Sequence, residues 1–230
     1  MDNSSMFQRF SLRYVKANMY LTIEGGKGLL IDPNCSDKAL SLLEEAGVKE
    51  LTILLTHEHF DHISGVNWFR KNFPTKVICQ KACAEYIADE KNVFPWTFFA
   101  LMSPEAKGYE EEVEAFCDSL PQETISTDIT FEKEYVLHWE GHVLILISMP
   151  GHSPGSMIIK FDEKYLFSGD YMILDLPVLL TLPGGSRKLY KKQTLPYILA
   201  LDRKYMIMPG HGENYSIQEI KYDNGIFTKS

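Results

Sequence analysis

The sequence has few of the features that mark several common classes of protein. It contains four cysteines among its 230 residues, none of them in a CxxC pair, and it has no apolar run of the roughly 18 residues that a membrane span needs. The segment Met1–Arg13 lacks the long apolar core of a secretory signal. We therefore expect reduced cysteines, a cytoplasmic location and no membrane partner.

Positive charge is also scarce. The chain has 23 lysines and arginines against 31 aspartates and glutamates, which gives a formal net charge of −8. Proteins that bind nucleic acids usually present a basic face, so we expect no nucleic-acid partner. Apolar residues make up 45% of the chain and charged residues 23%, as in an ordinary globular protein, and we predict a single domain over residues 1–230.

Two familiar hydrolase motifs are incomplete in this chain. Gly151–Gly155 matches the GxSxG pattern with Ser153 as the nucleophile, but Pro154 has no N–H to contribute to an oxyanion hole. The residues after this motif also predict a strand, whereas a serine nucleophile should lead into a helix. His57-Glu58 begins no HExxH zinc motif, because Asp61 stands where the second histidine would be.

Short apolar runs alternate with helical patterns along most of the chain. They predict strands at Tyr14-Val15, Met19–Ile23, Gly28–Ile31, Leu51–Leu55, Val77–Cys79, Tyr135–Trp139, Val143–Ser148, Met157–Phe161, Tyr165–Phe167 and Tyr205–Met208. They predict a helix that Ser36 caps and that runs through Ala46, where Gly47 stops it. Further helices are predicted from Ile63 to Asn72, from Lys81 onward and from Lys188 to Leu201, with a hairpin turn at Gly25-Gly26. Two strand-rich halves, each with helices, predict a layered α/β fold.

Residues 90–120 differ from this pattern. Phe94–Met102 is dense in aromatic residues, and Glu105–Leu120 is acidic with a helical pattern. We predict that residues 90–120 form a helical insertion or cap. A homodimer formed through its aromatic part is our prediction for a protein partner.

Three of the seven histidines lie together in the motif His57-Glu58-His59-Phe60-Asp61-His62. The motif directly follows the apolar strand Leu51–Leu55, and strand ends are where α/β folds place their chemistry. In an extended turn His57 and His59 point to the same side and can reach one metal. Asp61 and His62, on the turn into the next helix, can aim at a second position beside it.

Three further ligand candidates follow predicted strands in the same way. His152 and His211 each lie on a Pro-Gly turn directly after an apolar strand, and Asp170 follows the strand that begins at Tyr165. Imidazole and carboxylate ligands suit zinc, iron or manganese. The sequence therefore predicts a metal centre to which four strand ends contribute.

This HxHxDH motif, followed by His152, Asp170 and His211, resembles the metallo-β-lactamase superfamily over residues 12–215. The resemblance implies a four-layer αββα sandwich. It also implies that His57, His59 and His152 hold one metal, that Asp61, His62 and His211 hold another, and that Asp170 bridges them. The expected cofactors are two divalent ions, zinc first and then iron or manganese.

The implied reaction is hydrolysis of a small molecule by a metal-bound hydroxide, with Asp61 and Asp170 as catalytic residues. The chain resembles the glyoxalase II-like group in its compactness and in Asn18-Met19-Tyr20. It lacks the Gly-Arg-rich stretch and the long helical C-terminal domain of glyoxalase II, which puts a glutathione thioester in doubt. A true β-lactamase usually lacks the bridging aspartate, so Asp170 argues against antibiotic hydrolysis.

Our leading prediction is a binuclear hydrolase of an ester, thioester or lactone. The alternatives are a mononuclear-iron sulfur dioxygenase of the persulfide type, which would use His57, His152 and Asp170, a lactonase or phosphodiesterase branch of the same superfamily, and a metal-bound signalling protein without turnover. Candidate substrate contacts are Tyr171, as a donor to a carbonyl, and Arg187 and Lys188, as cations at the start of a helix where anions bind.

Overall fold

The computed structural model describes residues 6–92, 107–119 and 123–229. The chain divides into two compact units: the first is Met1–Leu55, His59–Ile78 and Ala84–Ile129, and the second is Thr56–Glu58, Cys79–Cys83 and Thr130–Ser230. The aromatic run Phe94–Met102 lies outside the described residues. The single-domain prediction stays a prediction.

Within the described residues, the first sheet contains six strands in the order β1-β2-β3-β4-β5-β6. Their bounds are β1 Gln8–Ser11, β2 Asn18–Glu24, β3 Lys27–Ile31, β4 Glu50–Leu55, β5 Thr75–Gln80 and β6 Ile129–Phe131. Gly25 and Gly26, with φ of 58° and 75°, form the predicted tight turn between β2 and β3, because such a turn needs positive φ at both positions. β3 and β4 are parallel and are connected through α1 (Asp37–Glu45).

α1 begins and ends as its sequence predicts. The side chain of Ser36 accepts a hydrogen bond from the Ala39 N–H, and Gly47 follows the helix with φ of 65°. Among the residues that the structure describes, the other α-helices of the first half of the chain are α2 Phe60–Ile63, α3 Val66–Arg70, α4 Lys81–Ile87 and α5 Glu110–Ser119. In α5 the buried residues Val113 and Cys117 pack against Tyr14 and Phe60, so the acidic helix covers part of the first unit's core.

The predicted helix from Ile63 to Asn72 is wrong as a single element. The helical chain begins earlier, at Phe60, and it breaks between α2 and α3 at Gly65. Gly65 N donates to Pro33 O at 2.8 Å, and a Cβ at Gly65 would stand only 2.6 to 2.8 Å from the backbone of Asn34. The loop after β3 thus lies directly against the chain at this break, and Asp61 and His62 are inside α2.

The predicted strand at Tyr14-Val15 is also wrong. Tyr14 and Lys16 have φ of 66° and 63°, so this segment is a turn, closed by a hydrogen bond from Leu12 N to Ala17 O at 2.7 Å. The strand that pairs with β2 lies earlier, at Gln8–Ser11. Tyr14 is nevertheless buried, so the apolar pattern indicated its burial correctly but not its backbone conformation.

The second sheet also contains six strands in the part of the chain that the structure describes, in the order β12-β11-β10-β9-β8-β7. Their bounds are β7 Glu134–Trp139, β8 His142–Ser148, β9 Met157–Phe161, β10 Tyr165–Gly169, β11 Met206–Pro209 and β12 Tyr215–Ser216. Neighbours are antiparallel except β10 and β11, which are parallel. β8 is antiparallel to β9 and β9 to β10, so β8, β10 and β11 all run in one direction.

The predicted helix at Lys188–Leu201 is present but interrupted. It consists of α6 Arg187–Leu189, a π-helical turn Tyr190–Thr194 and α7 Leu195–Leu199. Pro196 has no N–H to donate to an earlier carbonyl, so a continuous α-helical ladder cannot pass through it. Among the described residues, no helix has both the length and the apolar character needed to cross a membrane.

A hairpin near the C-terminus was not predicted. β13 (Ile220–Asp223) and β14 (Ile226–Lys229) join through Asn224-Gly225, both with positive φ. Phe227 is buried in the core cluster of the second unit, and its carbonyl accepts a hydrogen bond from Asp175 N at 2.8 Å. The hairpin therefore supports the segment that follows Asp170.

Candidate metal centre

Three ligand candidates follow strands of the second sheet that run in the same direction. His152 lies in the turn after β8, Asp170 directly follows β10, and His211 follows β11. The carboxyl ends of these strands meet at one edge of the sheet, which is the edge where α/β folds bind their ligands. His57 belongs to the same compact unit through the segment Thr56–Glu58.

The Asp170 carboxylate lies among the three imidazoles. Its Oδ2 is 3.5 Å from His152 Nε2 and 4.0 Å from His57 Nε2, while its Oδ1 is 3.6 Å from His211 Nε2. Most of these separations are too long for hydrogen bonds. Two ligands bound to one tetrahedral metal at about 2.0–2.2 Å lie roughly 3.4 Å apart, so the spacing suits ligation. The two oxygens approach different histidines, as a bridging carboxylate would.

In two of these rings, His152 and His57, the Nδ1 atom lies close to an oxygen atom. His152 Nδ1 is 2.8 Å from Leu179 O, and His57 Nδ1 is 3.0 Å from Thr56 Oγ1. A carbonyl oxygen can only accept, so the proton of neutral His152 is on Nδ1 and the lone pair is on Nε2. A histidine that binds a metal through Nε2 requires this tautomer, and its Nδ1–H usually donates to an oxygen atom. The donor set therefore suits divalent metals.

The first unit contributes a second group of candidates. Asp61 and His62 lie in α2, with His62 Nε2 at 3.5 Å from Asp61 Oδ2. His62 Nδ1 is 2.9 Å from Asp32 Oδ2, so a buried carboxylate fixes this ring in the same manner. His59 is the residue that precedes α2, and its side chain is half-buried. His57, in the second unit, and His59, in the first, are separated in the chain only by Glu58.

Asp32 was not among the predicted site residues. It directly follows β3 and has φ of 53°, a conformation that aspartate tolerates better than most residues. The only sequence signal is an aspartate before a proline at the end of an apolar strand. That signal also marks an ordinary turn.

Glu58 was also missed, although it stands inside the predicted motif. Its carboxylate is buried and accepts hydrogen bonds from Ser153 Oγ at 2.8 Å and from Gly155 N at 3.2 Å. Burial raises the pKa of the Glu58 carboxyl above its ordinary value, and these hydrogen bonds lower it in part. The Ser153 hydroxyl thus donates to a carboxylate, and β9 follows Ser156, so the segment lacks the strand–turn–helix form of a serine nucleophile.

The predicted substrate residues have other contacts in the structure. Tyr171 is 1% exposed, its hydroxyl donates to Met149 O and accepts from His152 N at 3.0 Å, and burial raises its pKa to about 12. The Tyr171 hydroxyl therefore stabilises the turn that carries His152, and its proton is already donated to Met149 O rather than, as predicted, to a substrate. Arg187 and Lys188 are exposed at the start of α6, where the Ser186 side chain already caps Leu189 N. Their anion-binding role stays a prediction.

The family follows from comparison with known proteins. A model of the metallo-beta-lactamase superfamily matches residues 13–211, and the chain belongs to this superfamily. Its members are mostly metal-dependent hydrolases, which gives the general class of the protein. The predicted resemblance and the predicted metallo-β-lactamase fold, of the α/β class, are therefore confirmed.

Individual relatives are distant but cover most of the chain. A probable metallo-hydrolase, YqgX of Bacillus subtilis, is 25% identical over 209 residues, which are 90% of each chain. The hydroxyacylglutathione hydrolase GloC of Haemophilus influenzae is 24% identical over 199 residues, 85% of this chain and 84% of that one. The crystal structure of BLEG-1, described as a B3 metallo-beta-lactamase, is 25% identical with a TM-score of 0.67 and covers 93% of this chain and 95% of its own.

Proposed function

We propose that this protein is a binuclear metal-dependent hydrolase that cleaves an ester, a thioester or a lactone. The observation that carries the proposal is the position of Asp170, whose Oδ2 faces His57 and His152 while its Oδ1 faces His211. A carboxylate whose two oxygens face different histidines suits a pair of metals. Membership of a superfamily of metal-dependent hydrolases supports the same conclusion.

We assign the ligands as the family resemblance implies. His57, His59 and His152 would hold one metal, Asp61, His62 and His211 would hold the other, and Asp170 would bind both. Two divalent metals there would supply Lewis acidity and lower the pKa of a bound water. Zinc is our first choice of metal, and iron and manganese accept the same donors.

The chain's own residues would orient the ligands and move the proton. Leu179 O and Thr56 Oγ1 contact Nδ1 of His152 and of His57, respectively. These contacts would keep both rings in the orientation that points Nε2 at a metal. We assign Asp61 as the general base: one of its carboxylate oxygens would accept the proton from the attacking water. No side-chain nucleophile is required.

The substrate class rests on general chemistry and on one relative. GloC is named for the hydrolysis of a hydroxyacylglutathione, which supports an acyl compound as the substrate. The Gly-Arg-rich stretch of glyoxalase II is absent after Asp170, where this chain has an apolar segment from Tyr171 to Leu182 with Asp175 as its one charged residue. We therefore keep small esters and lactones beside thioesters as candidates.

The proposal is tested by metal content and turnover measured together. We expect two metals per chain after reconstitution with zinc, iron or manganese, and hydrolysis of at least one member of an ester, thioester and lactone panel. Asp170→Asn should lower kcat/KM by at least about a thousandfold, because this carboxylate would bind both metals. Fewer than two metals per chain in the fully reconstituted wild type would refute the binuclear assignment.

A second candidate function has its own observation. The ligand atoms of His57, His152 and Asp170 lie within 4.8 Å of one another, and all three residues belong to one compact unit. Two histidines and a carboxylate are the ligand set of mononuclear non-heme iron oxygenases. One iron per chain, with oxygen uptake in the presence of a persulfide and no hydrolysis, would favour this candidate over the first.

A further inference from the structure

Glu58 is a buried carboxylate at the second position of the HxHxDH motif, and it contacts the turn that carries His152. One of its oxygens accepts a hydrogen bond from Ser153 Oγ at 2.8 Å, and the other accepts from Gly155 N at 3.2 Å. Glu58 follows His57 in the chain, and Ser153 follows His152. The hydrogen bond therefore joins the immediate neighbours of two ligand candidates.

The approach of the two segments is too close to be incidental. A Cβ at Gly155 would lie 2.4 Å from Glu58 Oε2. The turn after His152 can approach the Glu58 carboxylate this closely because Gly155 has no side chain. Ser156 Oγ in turn lies 2.8 Å from Ser153 Oγ and accepts from Ser153 N at 3.1 Å. A carboxylate this deeply buried is costly unless it is hydrogen-bonded, and bonds to a charged acceptor are the stronger ones.

We propose that Glu58 is a positioning residue that sets the separation of His57 and His152 so that both imidazoles reach one metal. The two rings meet edge to face with their centroids 4.9 Å apart, and both Nε2 atoms face Asp170 Oδ2. Glu58 itself binds no metal in this assignment. The inference rests on the proposed function, because it takes His57 and His152 to be metal ligands.

The test compares metal affinity in Glu58→Gln, Glu58→Ala and Ser153→Ala, using zinc titrated against a chelator and the visible spectrum of the cobalt-substituted protein. We expect one of the two metals to bind about 10- to 100-fold more weakly, as is typical when a residue behind a ligand is removed, and the other to be unchanged. Glu58→Gln keeps one acceptor oxygen, so its loss should be smaller than that of Glu58→Ala. The cobalt bands of the weakened site should shift, because the angle between its ligands changes.

A double-mutant cycle between Glu58→Gln and Ser153→Ala adds a second readout. If the two residues act through their shared hydrogen bond, the double variant should lose less affinity than the product of the two single losses. Asp162→Asn is the matched control, because Asp162 Oδ1 also accepts a backbone N–H, from Val143, in the same unit. We expect this control to leave both affinities and the cobalt spectrum unchanged.

The outcomes separate this inference from the proposed function. If wild-type protein binds two metals but the Glu58 and Ser153 variants keep both affinities and the cobalt spectrum, Glu58 does not position the ligands. The same conclusion follows if the variants only lower the melting temperature of the metal-free protein. If wild-type protein binds two metals and hydrolyses nothing, the proposed function fails while the positioning role is still decided by the affinities.

Discussion

At the residue scale, three of the candidate ligands are held in orientation by oxygen atoms on the far side of their rings. Each of His57, His62 and His152 has an oxygen within hydrogen-bonding distance of Nδ1, and these oxygens come from a hydroxyl, a carboxylate and a carbonyl. The ligand types and their spacing are visible in the sequence, since HxHxDH is a local pattern. Two of the three oxygens are not, because Asp32 is 30 positions from His62 and Leu179 is 27 positions from His152.

Asp32→Asn provides a test at this scale. Asparagine can still accept from His62 Nδ1, but it loses the charge that raises the basicity of the ring. We expect the affinity for one metal to fall about 10-fold, with a larger fall for Asp32→Ala, as measured by zinc titration against a chelator. Asp37→Asn, at an exposed carboxylate at the start of α1, should change neither affinity. Equal affinities in Asp32→Ala and the wild type would contradict the role given to this carboxylate.

At the element scale, the break between α2 and α3 shows how tertiary contacts override a helical pattern. The residues from Ile63 to Asn72 have the apolar spacing of one helix, yet Gly65 lies against the backbone of Asn34 and donates to Pro33 O. The chain therefore turns after α2, the helix that contains Asp61 and His62. The predicted caps of α1 were right because a cap depends only on neighbouring residues.

Gly65→Ala tests the importance of this contact. The added methyl group would lie 2.6 Å from the Asn34 carbonyl carbon, and backbone atoms cannot move aside as a flexible side chain can. We expect a loss of about 1–3 kcal/mol in the free energy of unfolding, measured by urea denaturation of the metal-free protein. Gly47→Asn is the control, because no atom lies within 4 Å of its Cβ position and asparagine tolerates its positive φ. A Gly65→Ala protein as stable as this control would show that the loop can give way.

At the scale of the whole molecule, metal binding should be linked to folding. The candidate ligands come from segments far apart in sequence, from His57 to His211, so the unfolded chain cannot hold them together. A metal at 100 times its dissociation constant adds about 2.7 kcal/mol to the free energy of unfolding. We expect chelation to lower the melting temperature by several degrees and zinc to restore it.

The variant Asp170→Asn makes that experiment specific. It should retain the melting temperature of the metal-free wild type within a few degrees and should gain much less on addition of zinc, as measured by thermal unfolding followed by circular dichroism. A substitution at an exposed carboxylate of α5, Glu111→Gln, should leave the gain intact. If chelation and zinc leave the wild-type melting temperature unchanged, metal binding does not contribute to the stability of the fold.

The sequence by itself determined the family and placed the candidate ligands at strand ends, because local motifs after apolar runs carry that information. It also predicted most strands of both sheets, since burial of a strand shows as a continuous or alternating apolar pattern. Only the tertiary structure revealed the hydrogen-bond partners of Glu58, Asp32 and Tyr171. A buried polar side chain is recognised by the partner that satisfies it, and these partners come from distant parts of the chain.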